Sequence, residues 1–273
     1  MCATSASTSS RRSSSRSPRA RGPLRCRHGP GGRPGPCAQR KDGRTMEVAN
    51  ELMVRGIVVG VFQENCWIVG NRRSGEAICI DPGDQPEEIL ALARDMGVTI
   101  KAIANSHAHL DHIFGVHGVH EATGAKFLLH ESDLDLLQNG WRDSARRMGL
   151  DLTQGPPDPD GYVTEDDIVE VDGVRLRVIT TPGHTTGSVS YFNEDANFLF
   201  SGDTLFRGSI GRTDMPGGSY DEEMRSITEK LLVLPDETVV LPGHMQETSV
   251  AFEKEHNPFV LDWERRRAAS EGR

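Results

Sequence analysis

The sequence has no long apolar run and few cysteines. Its longest apolar stretch, around Val54 to Phe62, is already interrupted by Arg55 and Gly56, whereas a membrane span needs ~18–20 apolar residues. Five cysteines among 273 residues are too few and too scattered for a small disulfide-stabilised fold. These absences exclude an integral membrane protein and a disulfide-rich mini-domain. The length is enough for one large domain or two small ones.

Charge is divided unevenly along the chain. Residues 1–45 contain eleven Lys and Arg and one acidic residue, a net charge of +10, whereas residues 46–273 contain 20 basic and 39 acidic residues, a net charge of −19. A body this acidic repels both a nucleic-acid backbone and an anionic membrane surface. We therefore expect neither as a partner.

The basic segment, residues 1–45, is rich in Ser, Arg, Pro and Gly, and we predict that it is disordered because it cannot bury enough apolar surface. It lacks the apolar core of a secretory signal, and its Pro and Gly content opposes the amphipathic helix of a transit peptide. Charge alone would allow a nucleic-acid-binding arm. The alternative is that translation begins at Met46. We expect a disordered tail at 1–45, one folded domain at 46–273, and a cytoplasmic location.

From Met46 onward the pattern predicts alternating strands and helices. One helix is predicted with Asp84 as its N-cap and Gly97 at its end, and a second is predicted to open with a capping box at Ser219 and Glu222. A long irregular connection, forming either a lid or a solvated loop, is predicted for 130–172. The predicted strands are 52–62, 65–69, 77–80, 100–104, 126–129, 174–179, 188–192, 198–200 and 239–241.

Three histidines and one aspartate lie close together directly after the apolar strand 100–104: His107, His109, Asp111 and His112. Imidazoles two positions apart on an extended chain project to the same side, so His107 and His109 can hold one metal ion. Asp111 and His112 follow at a bend, where they can turn toward a second, adjacent ion. The pattern indicates a metal centre rather than a chance polar loop.

Three further donors each follow a predicted strand: His184, Asp203 and His244. A glycine directly before each donor allows the backbone to turn sharply at the end of the strand. Together with the histidine cluster they give seven candidate ligands in four segments. The other histidines of the body do not follow strands in this way and are predicted not to be ligands: His117, His120, His130 and His256.

The order of these seven donors resembles that of the metallo-β-lactamase superfamily. Segments 202–206 (GDTLF), 211–214 (GRTD) and 256–259 (HNPF) resemble the glyoxalase II, or hydroxyacylglutathione hydrolase, branch in its short single-domain form. The resemblance implies an α/β fold, an αβ/βα four-layer sandwich with two facing sheets and helices outside. It also implies two metal sites, one made by His107, His109 and His184 and the other by Asp111, His112 and His244, with Asp203 bridging them.

The resemblance implies a binuclear metallohydrolase that cleaves thioesters of small 2-hydroxy acids. Two divalent ions lower the pKa of a shared water from ~16 to near 7, and a thiolate leaves with little protonation. Zinc is the first choice, with iron and manganese open, because imidazole and carboxylate accept all three. Asp111 is expected to orient the attacking hydroxide as well as to bind metal. Arg212 is predicted to bind the substrate carboxylate, a surface salt bridge being the alternative.

Other functions stay open at this point. Longer glyoxalase II enzymes carry a C-terminal domain that supplies basic residues to glutathione, whereas only 29 residues follow His244 here, so glutathione recognition is undecided. The main rival is a mononuclear iron persulfide dioxygenase using His107, His184 and Asp203. A non-catalytic domain stabilised by metal is a further alternative, and a true β-lactamase is disfavoured by the GDTLF segment and the HNPF ending. The oligomeric state is not predicted.

Overall fold

The structure is a computed structural model that describes residues 45–47, 51–149 and 155–271. The predicted disordered tail lies outside these residues except for Thr45, which begins the first strand. Disorder of the tail therefore stays a prediction.

The first sheet is built by consecutive strands in chain order. Among the described residues it has seven strands, with β1 to β4 pairing antiparallel and β4 to β7 pairing parallel. The strands are β1 (Thr45–Glu47), β2 (Leu52–Val59), β3 (Glu64–Asn71), β4 (Glu76–Ile80), β5 (Thr99–Ala104), β6 (Lys126–Leu129) and β7 (Gly161–Tyr162).

The remaining strands form a second sheet and a small hairpin. They are β8 (Ile168–Val171), β9 (Val174–Thr180), β10 (Val189–Asn193), β11 (Phe198–Gly202), β12 (Leu205–Phe206), β13 (Ser209–Ile210), β14 (Val239–Pro242) and β15 (Thr248–Ser249). Within the described chain the second sheet has the order β15-β14-β11-β10-β9-β8, and β12 pairs with β13 alone. Strands β11 and β14 run parallel, so their carboxyl ends meet at one edge.

The helices lie between and after these strands. They are α1 (Pro86–Met96), α2 (Leu110–Ile113), α3 (Val116–Thr123), α4 (Trp141–Met148), α5 (Tyr220–Arg225), α6 (Val250–His256) and α7 (Pro258–Glu271). A 3₁₀ turn covers Glu131–Asp133, and π-helical segments cover Leu136–Gly140 and Ser226–Leu231.

Three apolar clusters separate four layers of secondary structure. Alternate residues of a strand face opposite sides of its sheet: Ile68 belongs to a cluster with helix residues such as Ile89, whereas Trp67 belongs to the cluster between the two sheets. There the centroid of its ring lies 6.2 Å from that of the Phe200 ring, in an edge-to-face arrangement. A third cluster joins the outer face of the second sheet to α5, α6 and α7, with Met224 at its centre. The predicted αβ/βα four-layer sandwich is confirmed.

Helix α1 begins later than predicted. Asp84 does not cap it; Gln85 precedes the first helical residue in a left-handed conformation, and Asp84 Oδ1 accepts a hydrogen bond from the Gln85 amide instead. Pro86 then opens the helix, because its fixed φ suits the first turn. The end at Gly97 (φ 71°) is as predicted, and the capping box at Ser219 is also found, its side chain accepting from the Glu222 amide.

The prediction of a long irregular connection is wrong for the described residues. The segment 130–172 contains helix α4 as well as β7 and β8, because Leu137, Trp141 and Ala145 form a buried stripe at helical spacing; residues 150–154 lie outside the described part. The C-terminal segment forms two helices, α6 and α7. Asn257 separates them, its side chain accepting from the Phe259 amide.

Among the described residues, no helix combines the length and the apolarity that a membrane span requires.

Candidate metal centre

The structure brings all seven predicted donors to the ends of four strands. The first four follow β5, with His109 directly before the short helix α2, which contains Asp111 and His112. The other three, His184, Asp203 and His244, follow β9, β11 and β14. Two sheets thus contribute to one cluster.

One group of donors consists of His107, His109 and His184, whose ligand atoms lie within 4.8 Å of one another. Nδ1 of His109 is 2.8 Å from Nε2 of His184. The His107 ring lies 4.8 Å from each of the other two rings, and its Nε2 is buried without a hydrogen-bond partner among the described residues. Three convergent imidazoles with an orphaned nitrogen fit a divalent ion.

A second group consists of Asp111, His112 and His244, also within 4.8 Å of one another. Nε2 of His244 is 3.3 Å from Oδ2 of Asp111, and the rings of His112 and His244 are 5.3 Å apart. Nε2 of His112 is buried and has no hydrogen-bond partner within the described chain. This donor set also fits a divalent ion.

The Asp203 carboxylate lies between the two groups. Its Oδ1 is 3.4 Å from His112 Nε2, and its Oδ2 is 3.7 Å from His184 Nε2 and 3.6 Å from His244 Nε2. Oδ1 is buried and makes no hydrogen bond to a described residue. The carboxylate therefore reaches donors of both groups, the placement that a bridging ligand needs.

Burial and neighbouring charges set the protonation of the donors. Burial and the other imidazoles hold the pKa of His107 well below its usual value and lower the pKa of His109 to about 3, so both rings offer lone pairs at neutral pH. Burial acts to raise the pKa of Asp203, but the positive charge of His112, His244 and His184 outweighs it and lowers that pKa.

The second group attracts positive charge. Burial opposes ionisation of Asp111, yet its hydrogen bond to His244 and the charges of His112 and His244 keep the Asp111 pKa below its ordinary value. Conversely, burial would lower the pKa of His112, and the carboxylates of Asp203 and Asp81 raise it well above normal. The Asp111 hydrogen bond likewise outweighs burial and raises the pKa of His244. A bound cation would satisfy the same carboxylates.

Asp81, which the sequence analysis did not single out, supports the cluster from below. Its Oδ2 is 3.1 Å from His112 Nδ1 and accepts from Ser106 Oγ at 2.6 Å, while Oδ1 accepts from the Ser106 amide at 2.6 Å. Ser106 Oγ in turn lies 3.0 Å from His107 Nδ1. Asp81 therefore fixes two ligand rings. The sequence does indicate Asp81 as a site residue, because it is a polar residue directly after β4, and β4 pairs parallel with β5.

Asp133 ties two ligand loops together. Its carboxylate is buried and accepts hydrogen bonds from the Ala108 amide (2.9 Å), the Thr185 hydroxyl (2.9 Å) and the Gly187 amide (2.8 Å). Ala108 lies between His107 and His109, and Thr185 follows His184. No local pattern marks this residue, because its partners are far away in the sequence.

Two further buried carboxyls adjoin the site. Burial raises the pKa of Glu223 to about 9; its Oε1 packs against Gly211, where a Cβ would lie 2.9 Å away. Burial also raises the pKa of Glu64 well above normal. Neither carboxyl has a hydrogen-bond partner among the described residues. Burial therefore favours the protonated form of both carboxyls.

Glycine is required before the donors for different structural reasons at different positions. Gly202, before Asp203, has φ +51°, a conformation that favours glycine. Gly243, before His244, is needed for space: a Cβ there would lie 2.4 Å from Asp203 Oδ1 and 2.7 Å from the His112 ring. At Gly243 the expected reason, a sharp turn, is therefore replaced by close packing of donors.

Arg212 is not directed into the cluster. Its guanidinium is exposed and makes two contacts with the Asp214 carboxylate, at 2.8 and 3.0 Å. Its backbone carbonyl accepts a hydrogen bond from His184 Nδ1 at 2.8 Å. The side chain forms the surface salt bridge that the sequence left as the alternative, and substrate binding by Arg212 stays a prediction.

The four histidines predicted not to be ligands lie outside these donor groups. His117 and His120 are 3.5 Å from Glu121 and 3.1 Å from Asp160, respectively. His130 accepts from the Ser132 amide, and the ring of His256 stacks on another aromatic ring.

Comparison with known proteins agrees with this geometry. The model of the metallo-beta-lactamase superfamily matches residues 59–244, and the chain belongs to that superfamily. A relative in Haemophilus influenzae named hydroxyacylglutathione hydrolase GloC is 31% identical over 204 residues, which are 75% of this chain and 96% of the relative. The fold and the donors thus define a member of a metallo-hydrolase superfamily.

Two solved structures are similar over most of the chain. BLEG-1 B3 metallo-beta-lactamase has 34% identity and a TM-score of 0.70, covering 76% of this chain and 99% of that one. TTHA1623 in a di-iron-bound form has 38% identity and a TM-score of 0.68, covering 75% and 98%. The two names differ in what they report, so the superfamily alone does not fix the substrate or the metal.

Proposed function

We propose that the protein is a binuclear metal-dependent hydrolase that cleaves S-acyl thioesters of small 2-hydroxy acids, with water as co-substrate and a carboxylic acid and a thiol as products. The observation that carries the proposal is the Asp203 carboxylate, which lies within 3.7 Å of His112, His184 and His244. The likeness to GloC supports the thioester class. A cytoplasmic location belongs to the same proposal.

Two divalent ions would occupy the two donor groups described above, zinc being the first choice and iron supported by the di-iron form of TTHA1623. When bound, such ions supply hydroxide at neutral pH and polarise the acyl carbonyl.

Hydrogen bonds on the far side of three imidazoles prepare them as ligands. His184 Nδ1 donates to the Arg212 carbonyl, and His112 Nδ1 donates to Asp81. Ser106 Oγ donates to Asp81 and therefore accepts from His107 Nδ1. Each contact keeps the proton on Nδ1 and leaves the Nε2 lone pair free for the cluster.

Asp111 is suited to hold the attacking water. Its Oδ2 is 3.3 Å from His244, and its lowered pKa keeps it an acceptor. A thiolate, with a parent pKa of ~8.5, needs little protonation to depart, whereas an amide nitrogen has to be protonated before it can leave. This favours thioesters over amides.

Metal analysis and parallel assays on the full-length protein test the proposal. We expect close to two ions per chain and hydrolysis of S-lactoylglutathione. His112→Ala should keep about one ion and lose hydrolysis, whereas the matched control His120→Ala, whose imidazole contacts Asp160 outside the cluster, should keep both ions and activity. One ion per chain with persulfide-dependent oxygen consumption would favour the dioxygenase instead. Turnover of β-lactams without thioester cleavage would favour a β-lactamase.

A further inference from the structure

A surface groove of about 500 Å³ lies beside the metal centre on the side of His244. Two of its lining residues are joined directly to the site: Met245 follows His244, and Arg207 follows Phe206, whose ring is 6.3 Å from the His244 imidazole. We call this the His244 groove. It is lined by Arg207, Gly208, Met245, Gln246, Phe252 and His256.

One wall of the groove is a stack of three planar side chains. The guanidinium of Arg207 lies 4.4 Å over the Phe252 ring, and the Phe252 and His256 rings are 4.6 Å apart and nearly parallel, at 13°. Stacking on an aromatic face holds a guanidinium in place without using its N–H donors. One donor reaches the Glu247 carbonyl at 3.3 Å, which leaves the others directed to solvent.

Hydrogen bonds to Glu253 fix the two sides of the groove relative to each other. Glu253 is buried on α6 and accepts from the Gly208 amide at 2.9 Å and from Asn257 Nδ2 at 2.8 Å. Gly208 belongs to the turn that carries Arg207, and α6 carries Phe252. The stack is therefore fixed before any ligand arrives, which lowers the entropy cost of binding.

Arg207 is a free cation in an acidic protein. No carboxylate of the described residues forms an ion pair with it, in contrast to Arg212, which is engaged by Asp214. Residues 46–273 carry a net charge of −19, so an unneutralised guanidinium beside the metal centre selects for an anionic ligand at this point. Met245, 57% exposed, adds an apolar surface to the lining of the groove.

We propose that the His244 groove binds the thiol half of the substrate, with Arg207 pairing with a carboxylate at its far end and Phe252 and Met245 contacting its apolar atoms. The ligand class is a peptide-like thiol that carries a carboxylate. The inference rests on the proposed thioester hydrolysis and names the half of the substrate that confers specificity. It places a basic contact on the hairpin of the catalytic domain itself.

Binding of S-methylglutathione, which cannot be hydrolysed, tests the groove without using turnover. Calorimetric titration of the full-length protein at low ionic strength should give a Kd that rises about tenfold in Arg207→Gln, because a charge-assisted contact is lost. The matched control is Arg265→Gln on α7, where the side chain is exposed and, within the described part of the chain, hydrogen-bonds only to a backbone carbonyl of its own helix. That variant should bind as the wild type does, and the thermal midpoints of both variants should match the wild type.

The diethyl ester of S-methylglutathione separates charge from shape. It should bind the wild type about tenfold more weakly than the acid does and should not distinguish wild type from Arg207→Gln. The proposal is overturned if S-methylglutathione does not bind the wild type, if Arg207→Gln leaves its Kd unchanged, or if the ester binds as tightly as the acid.

Kinetics distinguish failure of the groove from failure of the proposed function. The ratio of kcat/KM for S-lactoylglutathione to that for S-lactoyl-N-acetylcysteamine, which has no carboxylate on the thiol, should fall about tenfold in Arg207→Gln, through KM. An unchanged ratio with active enzyme overturns the groove and leaves the hydrolase intact. Absence of thioester hydrolysis in the wild type overturns the proposed function, and the titration then still decides whether the groove binds the thioether.

Discussion

Replacing Asp133 by Ala should weaken both the fold and the metal centre. The change orphans the buried amides of Ala108 and Gly187, while the Thr185 hydroxyl keeps Ser188 Oγ as a partner at 2.8 Å. An unsatisfied buried donor costs about 1–3 kcal/mol. Burial raises the pKa of Asp133 despite its hydrogen bonds, so removing the carboxyl relieves part of that cost. We expect a net loss of about 2–4 kcal/mol in the free energy of unfolding.

The same two amides hold the loops of His107 and His184, so zinc affinity should fall by about 10–100-fold. Urea unfolding monitored by circular dichroism gives the first quantity, and competition with a chromophoric chelator gives the second. Asp135→Ala is the matched control, since among the described residues this exposed carboxylate of the same segment accepts only from the Asn139 side chain. If Asp133→Ala unfolds at the wild-type urea midpoint and binds zinc normally, the role assigned to its hydrogen bonds is wrong.

Two further predictions concern charge at the site. Asp203→Ala should lower the occupancy of both metal sites and reduce kcat/KM by more than the ~100-fold loss typical of changes to residues that only support metal ligands. His112→Ala should empty one site and retain the other. Metal analysis of both variants tests this, and full occupancy in Asp203→Ala would refute the bridging assignment. For Glu223, the folded-state pKa of about 9 lies above its ordinary value of 4.5, so the folded protein binds the extra proton and its stability falls as pH rises from about 4.5 to 9. Glu223→Gln should therefore unfold with a shallower pH dependence over that window, and identical slopes in urea titrations from pH 5 to pH 9 would contradict this.

Local patterns predicted most of the strands and the donors, because the types of adjacent residues determine both. A donor that follows a buried strand and a glycine, such as Asp203 or His244, is placed by a few adjacent side chains, and the structure brings these donors together. The resemblance to the superfamily and the four-layer fold are confirmed. Asp81 could have been found by the same reasoning, because it ends β4 beside β5.

Long-range contacts account for what was missed. Asp133 accepts hydrogen bonds from residues 25 and 52 positions away, and the residues next to it in the sequence do not indicate those partners. Helix α4 was missed because its apolar stripe is short and its exposed face is highly charged, so only packing against the first core cluster gives the stripe a meaning. The Arg212 side chain points toward Asp214. The spacing of residues in the sequence does not show whether an arginine pairs with a neighbouring aspartate or with a substrate carboxylate.

The division of the donors between the two sheets has a thermodynamic consequence. His107 and its neighbours follow a strand of the first sheet, whereas His184, Asp203 and His244 follow strands of the second. Ions held by both sets would link the halves of the chain, and this linkage is reciprocal: the free energy by which bound ions stabilise the docking of the sheets equals the free energy by which docking raises metal affinity. A cavity in the core between the sheets, where Trp67 meets Phe200, would weaken the affinity for zinc to the extent that it loosens that docking.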